Sequence, residues 1–208
     1  GLFTVAKRWV TVTVDPNQHK TYGDSDPASY TYSVSDLGNG VALVGSLDRA
    51  AGEDAGTYAI GQGTLTNANN SNYDIAFVGA DFTIAQRAIT VTADAKSRIY
   101  GDANPALTYQ VTSGNLVGSD VLSGALATSA TTASGVGTYG IMQGTLANSN
   151  YAITYAGADL SVTQRAITVT ADAKTRIYGD ANPALTYQVT SGNLVNDDSL
   201  TGDLATSA

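Results

Sequence analysis

Short runs in which apolar and polar residues alternate recur along this chain and predict β-strands. Such runs cover residues 89–92 and 107–111, with the period of two that is typical of a strand with one buried face. Clusters of Gly, Asn, Asp and Ser separate the runs and favour turns. Further strands are predicted at 125–129, 138–141, 151–155 and 160–162, the last two as a hairpin across residues 156–159. A single short helical turn fits only within residues 117–123.

This density of short strands and turn signals predicts an all-β, mainly antiparallel fold in which small sandwich domains repeat. Tyrosine often stands where an aliphatic core would have leucine, because its ring buries area while its hydroxyl finds a partner at the edge. The predicted inward residues are Val10, Val12, Tyr30, Tyr32, Val34, Tyr58, Ile60, Tyr73, Ile75, Phe82 and Ile84 in one stretch, and Ile89, Val91, Leu107, Tyr109, Val111, Tyr139, Ile141, Tyr151, Ile153, Leu160 and Val162 in the next.

The pattern belongs to a sequence repeat. Residues 87–117 recur as 165–195 with one change, Ser97 to Thr175, and a more divergent copy begins at Arg8. The three starting arginines lie 79 and 78 residues apart, which suits a small domain rather than the coil of a solenoid. Tandem copies of a domain usually add length, stiffness or valency to a protein.

The copies define the expected domain organisation. Residues 1–7 match the end of a repeat and are interpreted as the last strand of a preceding one, followed by repeat one at 8–86 and repeat two at 87–164. Residues 165–208 form a truncated repeat three, so we interpret the chain as a section of a longer array. The junctions contain no Pro, Gly or Ser-rich linker, which predicts a stiff rod rising on the order of 30–45 Å per repeat.

Composition narrows the class of partner. The chain carries 18 acids against 10 bases, a formal charge of −8, which argues against nucleic acid or an anionic membrane as a partner. It has no cysteine, so disulfides and thiolate metal sites are excluded. No apolar run approaches the ~20 residues of a membrane-spanning helix.

The order of short motifs resembles the MBG domain family, YGX type, of bacterial surface proteins. The motifs that carry the resemblance are Tyr22-Gly23-Asp24, Tyr100-Gly101-Asp102, Tyr178-Gly179-Asp180, Gly56-Thr57-Tyr58, Gly137-Thr138-Tyr139, Gln62-Gly63-Thr64-Leu65, Gln143-Gly144-Thr145-Leu146, Asn72-Tyr73 and Asn150-Tyr151. The resemblance implies a small β-domain, Ig-like or β-grasp-like, and an extracellular stalk or adhesive filament such as filamentous-haemagglutinin-like exoproteins of two-partner secretion. It supplies no catalytic residues. The absence of a long amphipathic helix favours the Ig-like sandwich.

Oxygen ligands near the recurring Tyr-Gly-Asp turn raise the possibility of structural Ca²⁺, against the alternative that Asp and Asn form ordinary Asx-turns before proline. The residues concerned are Asp15, Asp24, Asp26, Asp94, Asp102, Asn104, Asp172, Asp180 and Asn182. Three such oxygens would need help from carbonyls and water to hold Ca²⁺. Asx-turns are the favoured reading, and the chain is expected to need no cofactor.

Other candidate chemistry is sparse. His19 is the only histidine and does not recur, so a catalytic base shared by the repeats is excluded and no enzyme is expected. Lys96, Arg98 and Tyr100 recur in repeat three and predict either a small anion or sugar patch or a basic pair with buried stems. Trp9 predicts packing between domains, with a ligand-stacking platform as the alternative.

The sequence therefore favours a structural segment of a secreted bacterial surface adhesin that projects a distal binding region. The alternatives are repeats that each bind carbohydrate or a partner, and repeats that associate laterally or end to end into a filament or biofilm matrix. A stalk should bury its tyrosines, whereas a sugar-binding array should show aromatic residues on an exposed face of every copy.

Overall fold

A computed structural model describes residues 1–38 and 41–207, and all regular structure within them is β-strand. No helix that is long and apolar enough to cross a membrane occurs in that part of the chain. The strands are β1 (Arg8–Val14), β2 (Gln18–Thr21), β3 (Tyr32–Val34), β4 (Asp48–Arg49), β5 (Gly56–Gly61), β6 (Tyr73–Val78), β7 (Ala80–Ala85), β8 (Arg87–Ala93), β9 (Lys96–Ile99), β10 (Tyr109–Ser113), β11 (Ala127–Thr128), β12 (Gly137–Met142), β13 (Tyr151–Ala156), β14 (Ala158–Thr163), β15 (Thr168–Ala171) and β16 (Tyr187–Ser191).

Repeat one consists of two small sheets. The first has the strand order β3-β1-β6 and the second the order β2-β7-β5-β4. Three of the five strand pairs are antiparallel, but β1 pairs in parallel with β6 and β2 pairs in parallel with β7. The all-β prediction is confirmed. The β-grasp-like alternative needs a helix packed on the sheet, and the described residues contain none.

The alternation read from the sequence places the core. In β1 and β7 every second side chain is buried, and Val10, Val12 and Phe82 are completely inaccessible. The predicted inward residues of repeat one are all buried or half-buried. The core also includes Val14, Leu47 and Leu65, which the sequence reading left out.

Consecutive strands at the end of each repeat lie in different sheets, which corrects one prediction. Residues 151–155 and 160–162 were expected to form a hairpin, but β13 belongs to the sheet β10-β8-β13 and β14 to the sheet β11-β12-β14-β9. Only Gly157 separates these strands, and one residue is too short for a hairpin loop. A Cβ at Gly157 would lie 3.0 Å from the carbonyl oxygen of Ile141, so the strand can cross closely there only without a side chain.

The sequence reading also missed β2 and β9. These short strands contain several polar or charged residues and precede the Tyr-Gly-Asp turns, so they resemble part of the turn. Each is nevertheless held in a sheet by a parallel partner, β7 for β2 and β14 for β9. Tertiary pairing, rather than local preference, makes them strands.

The chain divides into two compact units. The first comprises Gly1–Val91, Val111–Ser123 and Ala147–Thr154, and so holds all of repeat one with three segments of repeat two. The second comprises Thr92–Gln110, Gly124–Leu146 and Tyr155–Ala208. It contains the sheet β11-β12-β14-β9, a core that includes Ile141 and Leu160, and the antiparallel pair β15-β16 from repeat three.

Candidate functional site

A tight turn follows β2 and presents the Tyr22-Gly23-Asp24 motif. The Asp24 amide donates to the carbonyl of Thr21 at 3.0 Å, which closes the turn. Gly23 has a φ of +82°, in the region that favours glycine. A Cβ on Gly23 would lie 2.4 Å from Cγ2 of Val117, a residue of repeat two. The motif therefore needs glycine both for its backbone conformation and for close contact with the next repeat.

Arg87, the first residue of β8 in repeat two, binds this turn through its side chain. Its Nε donates to the carbonyl oxygen of Tyr22 at 2.7 Å, and its Nη2 forms an ion pair with Oδ1 of Asp24. The Arg87 side chain is only 22% exposed, so the guanidinium acts in a partly desolvated place where its bonds are stronger. We call Tyr22, Gly23, Asp24 and Arg87 the first clamp.

Asp120 joins two tyrosines beside the first clamp. The hydroxyls of Tyr22 and Tyr151 both donate to Oδ2 of Asp120, at 2.9 and 2.6 Å, and the two rings meet edge to face with centroids 5.6 Å apart. The hydrogen bond to Asp120 raises the pKa of Tyr22, while burial and then Asp120 raise the pKa of Tyr151. Tyr151 also accepts a hydrogen bond from the Val117 amide at 2.7 Å. A tyrosine of repeat one is thus fixed by residues of repeat two.

Asn150 makes a further bond pair across the same junction. Its Nδ2 donates to Oδ1 of Asp54 at 2.9 Å, and its Oδ1 accepts from the Ala55 amide at 2.8 Å. Asn150 is 9% exposed, so both halves of its amide are satisfied away from bulk water. The asparagine and tyrosine of the Asn150-Tyr151 motif therefore both serve the junction.

The second unit contains the same clamp between repeats two and three. Arg165 Nε donates to the carbonyl oxygen of Tyr100 at 2.8 Å, and Arg165 Nη2 pairs with Oδ1 of Asp102. Gly101 has a φ of +85°, and a Cβ there would lie 2.5 Å from Cγ2 of Val195. We call Tyr100, Gly101, Asp102 and Arg165 the second clamp. The two clamps use equivalent residues and the same atoms.

The second clamp borders an open cleft of about 640 Å³. Tyr100, Val195 and Asp198 line it, and they occupy the positions of Tyr22, Val117 and Asp120 at the first junction. Among the described residues the hydroxyl of Tyr100 makes no hydrogen bond. The two junctions therefore share the bonds of the clamp arginine. The sequence ends at residue 208, before the position that corresponds to Tyr151, so the tyrosine contact is described at the first junction alone.

A buried cation lies two residues before the Tyr-Gly-Asp turn in repeats one and two. In repeat one it is Lys20, whose side chain is 5% exposed and whose Nζ lies 2.7 Å from Oδ1 of Asp26 and also contacts Glu53. Arg49 binds Asp26 through Nε at 2.7 Å and Glu53 through Nη2 at 2.6 Å. We call Lys20, Asp26, Arg49 and Glu53 the charge network.

The charge network holds its members ionised. The hydrogen bond from Arg49 holds the pKa of Asp26 well below its usual range against the opposing effect of burial. Burial alone would lower the pKa of Lys20, but the hydrogen bonds that it donates to Asp26 and Glu53 raise it instead. Arg49 also lies over the ring of Phe82, with its Cζ 5.5 Å from the centroid, so the network rests on the core.

In repeat two the equivalent cation is Arg98, and its partners are neutral. Nε of Arg98 donates to Oδ1 of Asn104 at 2.7 Å, and Nη2 donates to the carbonyl of Thr131. Asn104 in turn donates to the carbonyl of Ala130 at 2.7 Å. Arg98 is 7% exposed, which disfavours the alternative of a surface anion or sugar patch formed with Lys96 and Tyr100. The arginine is structural, and Tyr100 belongs to the second clamp.

The oxygens considered for Ca²⁺ are not gathered at one place. Asp24 and Asp102 bind clamp arginines, Asp26 belongs to the charge network, and Asn104 binds Arg98. Asp94 and Asp172 accept from Thr108 and Thr186, while Asp180 gives its backbone carbonyl to Arg176. Among the described residues no group of three or more His, Asp or Glu is placed to hold a metal ion.

The two remaining candidates lie on the surface. Nδ1 of His19 lies 2.8 Å from the carbonyl of Asn17, in an exposed position of β2. Trp9 is 69% exposed. Its counterpart Ala88 is exposed as well, although a repeat precedes it. The position therefore faces away from the junction, and the geometry does not support packing of Trp9 between domains.

Repeats one and two are small β-domains of two sheets, and in each the Tyr-Gly-Asp turn is bound by an arginine of the next repeat. This arrangement defines a structural tandem-repeat protein. The family model of the MBG domain (YGX type) matches residues 10–83, 89–161 and 167–208, and the chain belongs to this family. Its domains occur in surface proteins, and it is a family of structural repeats rather than of enzymes. Comparison with curated proteins and with solved structures gives no match.

Proposed function

We propose that this chain is a spacer segment of a large secreted bacterial surface adhesin, which holds a distal binding region away from the cell. The observation that carries the proposal is the recurrence of the clamp. Arg87 and Arg165 reach back to equivalent turns and make the same two bonds. A spacer needs the same contacts at every junction between repeats, because each added domain must be held on the preceding one in the same way. The membership of a family found in surface proteins supports the extracellular part of the proposal.

Tyrosine burial favours the spacer over a carbohydrate-binding array. Every tyrosine of repeats one and two is buried or half-buried, and the most exposed one in the chain is Tyr178 of repeat three. Sugar-binding sites need aromatic faces open to solvent, whereas these rings pack into cores or junctions. In each clamp a tyrosine carbonyl and an aspartate carboxylate are likewise bound by an arginine of the neighbouring repeat.

The test is the distance distribution between two spin labels on either side of the first junction. Thr13→Cys in β1 and Ser113→Cys in β10 are exposed positions, and the chain has no other cysteine. We expect a narrow distribution, because the first clamp, Asp120 and Asn150 fix one repeat on the other. A broad distribution like that of a flexible tether would contradict the spacer proposal. Binding of the unmodified chain to a carbohydrate array would favour the rival instead.

A further inference from the structure

The first and last segments of repeat one run side by side as a long parallel ladder. β1 pairs with β6 from Arg8↔Tyr73 to Thr13↔Val78, and β2 pairs with β7 from Gln18↔Phe82 to Thr21↔Ala85. The separation along the chain is 65 residues in the first part and 64 in the second. The β1-β2 segment and the β6-β7 segment therefore pass from one sheet to the other at nearly the same point along the ladder. They pair in parallel both before and after that point.

The direction of this ladder decides how the repeat responds to tension. The chain enters repeat one at the start of β1 and leaves it at the end of β7, which are opposite ends of the ladder. Tension would pull the two parallel segments past each other along their own axes. Hydrogen bonds between strands lie across that direction, so many share the load and must break together. If strands were instead pulled apart from one end, the bonds would break one after another.

We propose that this ladder is a shear clamp that gives each repeat a high resistance to being pulled open along the chain. The inward-facing apolar side chains of the ladder lie in the core, and Val10, Val12, Phe82 and Ile84 are at most 1% exposed. Water therefore reaches these bonds poorly, and sliding the strands would tear core contacts at the same time.

The junction secures the end of the ladder. Beyond the last register pair the Tyr22 amide donates to the carbonyl of Ala85 at 2.9 Å. Arg87 then binds the carbonyl of Tyr22 and the carboxylate of Asp24, so residues on either side of the ladder's end are tied by one side chain. A neighbouring repeat thus strengthens the point at which tension enters the ladder of repeat one.

The same arrangement recurs in the second unit. β9 pairs in parallel with β14 from Lys96↔Leu160 to Ile99↔Thr163, and the Tyr100 amide donates to the carbonyl of Thr163 at 2.9 Å. Arg165 grips Tyr100 and Asp102 at that end. The physiological use of the shear clamp rests on the proposed spacer function, because only a protein held at both ends carries tension.

Single-molecule force spectroscopy on the full chain tests the proposal by changing only the direction of pull. Cysteine handles at Lys7→Cys and Ala85→Cys load the ladder of repeat one in shear. Handles at Lys7→Cys and Asn72→Cys pull from the end where both strands begin, and unzip it. All three positions are exposed. We expect an unfolding force on the order of twofold or more higher in shear, because the bonds act together.

Equal forces in the two directions, or a higher force for unzipping, would overturn the shear clamp.

A second experiment separates the contribution of the ladder from that of the bonds made by Arg87 at its end. Arg87→Ala should lower the shear force of repeat one, and Arg165→Ala, at the other junction, should leave it unchanged; equal effects of the two changes would contradict the role of Arg87. A broad spin-label distribution with the force ratio intact would defeat the spacer function alone, whereas equal forces with a narrow distribution would defeat the shear clamp alone.

Discussion

The buried cation lies two residues before the Tyr-Gly-Asp turn of the clamp. The contacts of the turn are the same in repeats one and two, whereas the contacts of the cation differ between them. Arg87 and Arg165 make identical bonds to their turns. At the buried site, Lys20 lies in a network of four charges, whereas Arg98 uses an amide and a backbone carbonyl. A contact within one repeat can change together with its own neighbours, but a clamp must fit residues of the adjacent repeat. The difference separates what serves one domain from what serves the array.

The largest effect we expect is from Asp26→Asn, which gives repeat one the amide found in repeat two. Lys20 and Arg49 would lose their shared carboxylate while remaining nearly buried, with side chains 5% and 7% exposed. Because an uncompensated buried charge is costly and Asp26 itself is partly exposed, the loss should be about 2–3 kcal/mol. Urea unfolding followed through the amide resonances of repeat one measures it.

The matched control is Asn104→Asp in repeat two. The new carboxylate would still accept from Arg98 but could not donate to the carbonyl of Ala130, which Asn104 does at 2.7 Å. The gain and the loss oppose each other, so we expect a smaller change than for Asp26→Asn. Equal destabilisation by the two substitutions would show that the sites are not built differently.

As the pH falls, the free energy of unfolding of repeat one should decrease before that of repeat two. The folded pKa of Asp26 is depressed, chiefly by the hydrogen bond from Arg49, so its contribution is complete above the ordinary pKa and is lost as the pH falls through the depressed value. Hydrogen bonds from Lys20 and then Arg49 lower the pKa of Glu53 in the same direction. At the equivalent site of repeat two, Arg98 binds the amide of Asn104 and the carbonyl of Thr131, neither of which is a carboxylate. Hydrogen exchange from neutral pH down to about pH 2 should show repeat-one amides losing protection first.

The reverse order of opening would contradict the assignment. Asp26→Asn supplies the control, because without the carboxylate most of the acid sensitivity of repeat one should disappear. An acid response that Asp26→Asn leaves intact would place its origin outside the charge network.

Strand periodicity predicted the core of each repeat but not the contacts between repeats. Residues such as Val12 and Ile84 alternate with polar neighbours, so their burial follows from local pattern. The Tyr-Gly-Asp motif was predicted to be a turn, and Gly23 has the positive φ that such a turn favours. Its second role, close approach to Val117, depends on a residue 94 positions later in the chain. No local rule connects the two.

The buried cation was missed for a related reason. Lys20 and Arg98 lie in polar stretches that resemble surface, and a sequence gives a charged residue no partner. The partners come from distant loops, Glu53 in one repeat and Thr131 in the other. A usable signal was present in the covariation inside the chain, because Lys20 with Asp26 is replaced by Arg98 with Asn104 at the same spacing.

Arg87→Ala and Arg165→Ala should have closely similar effects, because the two clamps are alike. Each change removes a hydrogen bond to a carbonyl and a partly exposed ion pair, so each should cost about 1–2 kcal/mol. The measurement is hydrogen exchange at the two turns, at the Asp24 and Asp102 amides. Arg8→Ala is the control, since its pair with Asp36 is 47% and 77% exposed and should contribute at most about 0.5 kcal/mol. Clearly unequal effects of Arg87→Ala and Arg165→Ala on hydrogen exchange would show that the two clamps are not equivalent.

The smallest effect we expect concerns the tyrosine contact of the first junction. Tyr22→Phe removes the hydroxyl that donates to Asp120 at 2.9 Å, while the edge-to-face contact with Tyr151 remains. The loss should be smaller than for Arg87→Ala and should appear as faster exchange of the Val117 amide, which is bonded to the same cluster. Tyr100→Phe lies outside the cluster of Tyr22, Asp120 and Tyr151, so it serves as the control and should leave the exchange of the Val117 amide unchanged.

Alkaline pH gives the same prediction a second measurement. The hydrogen bond to Asp120 raises the folded pKa of Tyr22, so its contribution is complete below the ordinary tyrosine pKa and is lost as the pH rises through the raised value. Tyr151 shares this direction through burial and Asp120. Tyr22→Phe should therefore reduce the alkaline acceleration of Val117 exchange, after correction for the intrinsic rate, without abolishing it. If Tyr22→Phe changes that pH dependence no more than Tyr100→Phe does, the hydrogen bond between Tyr22 and Asp120 is not its origin.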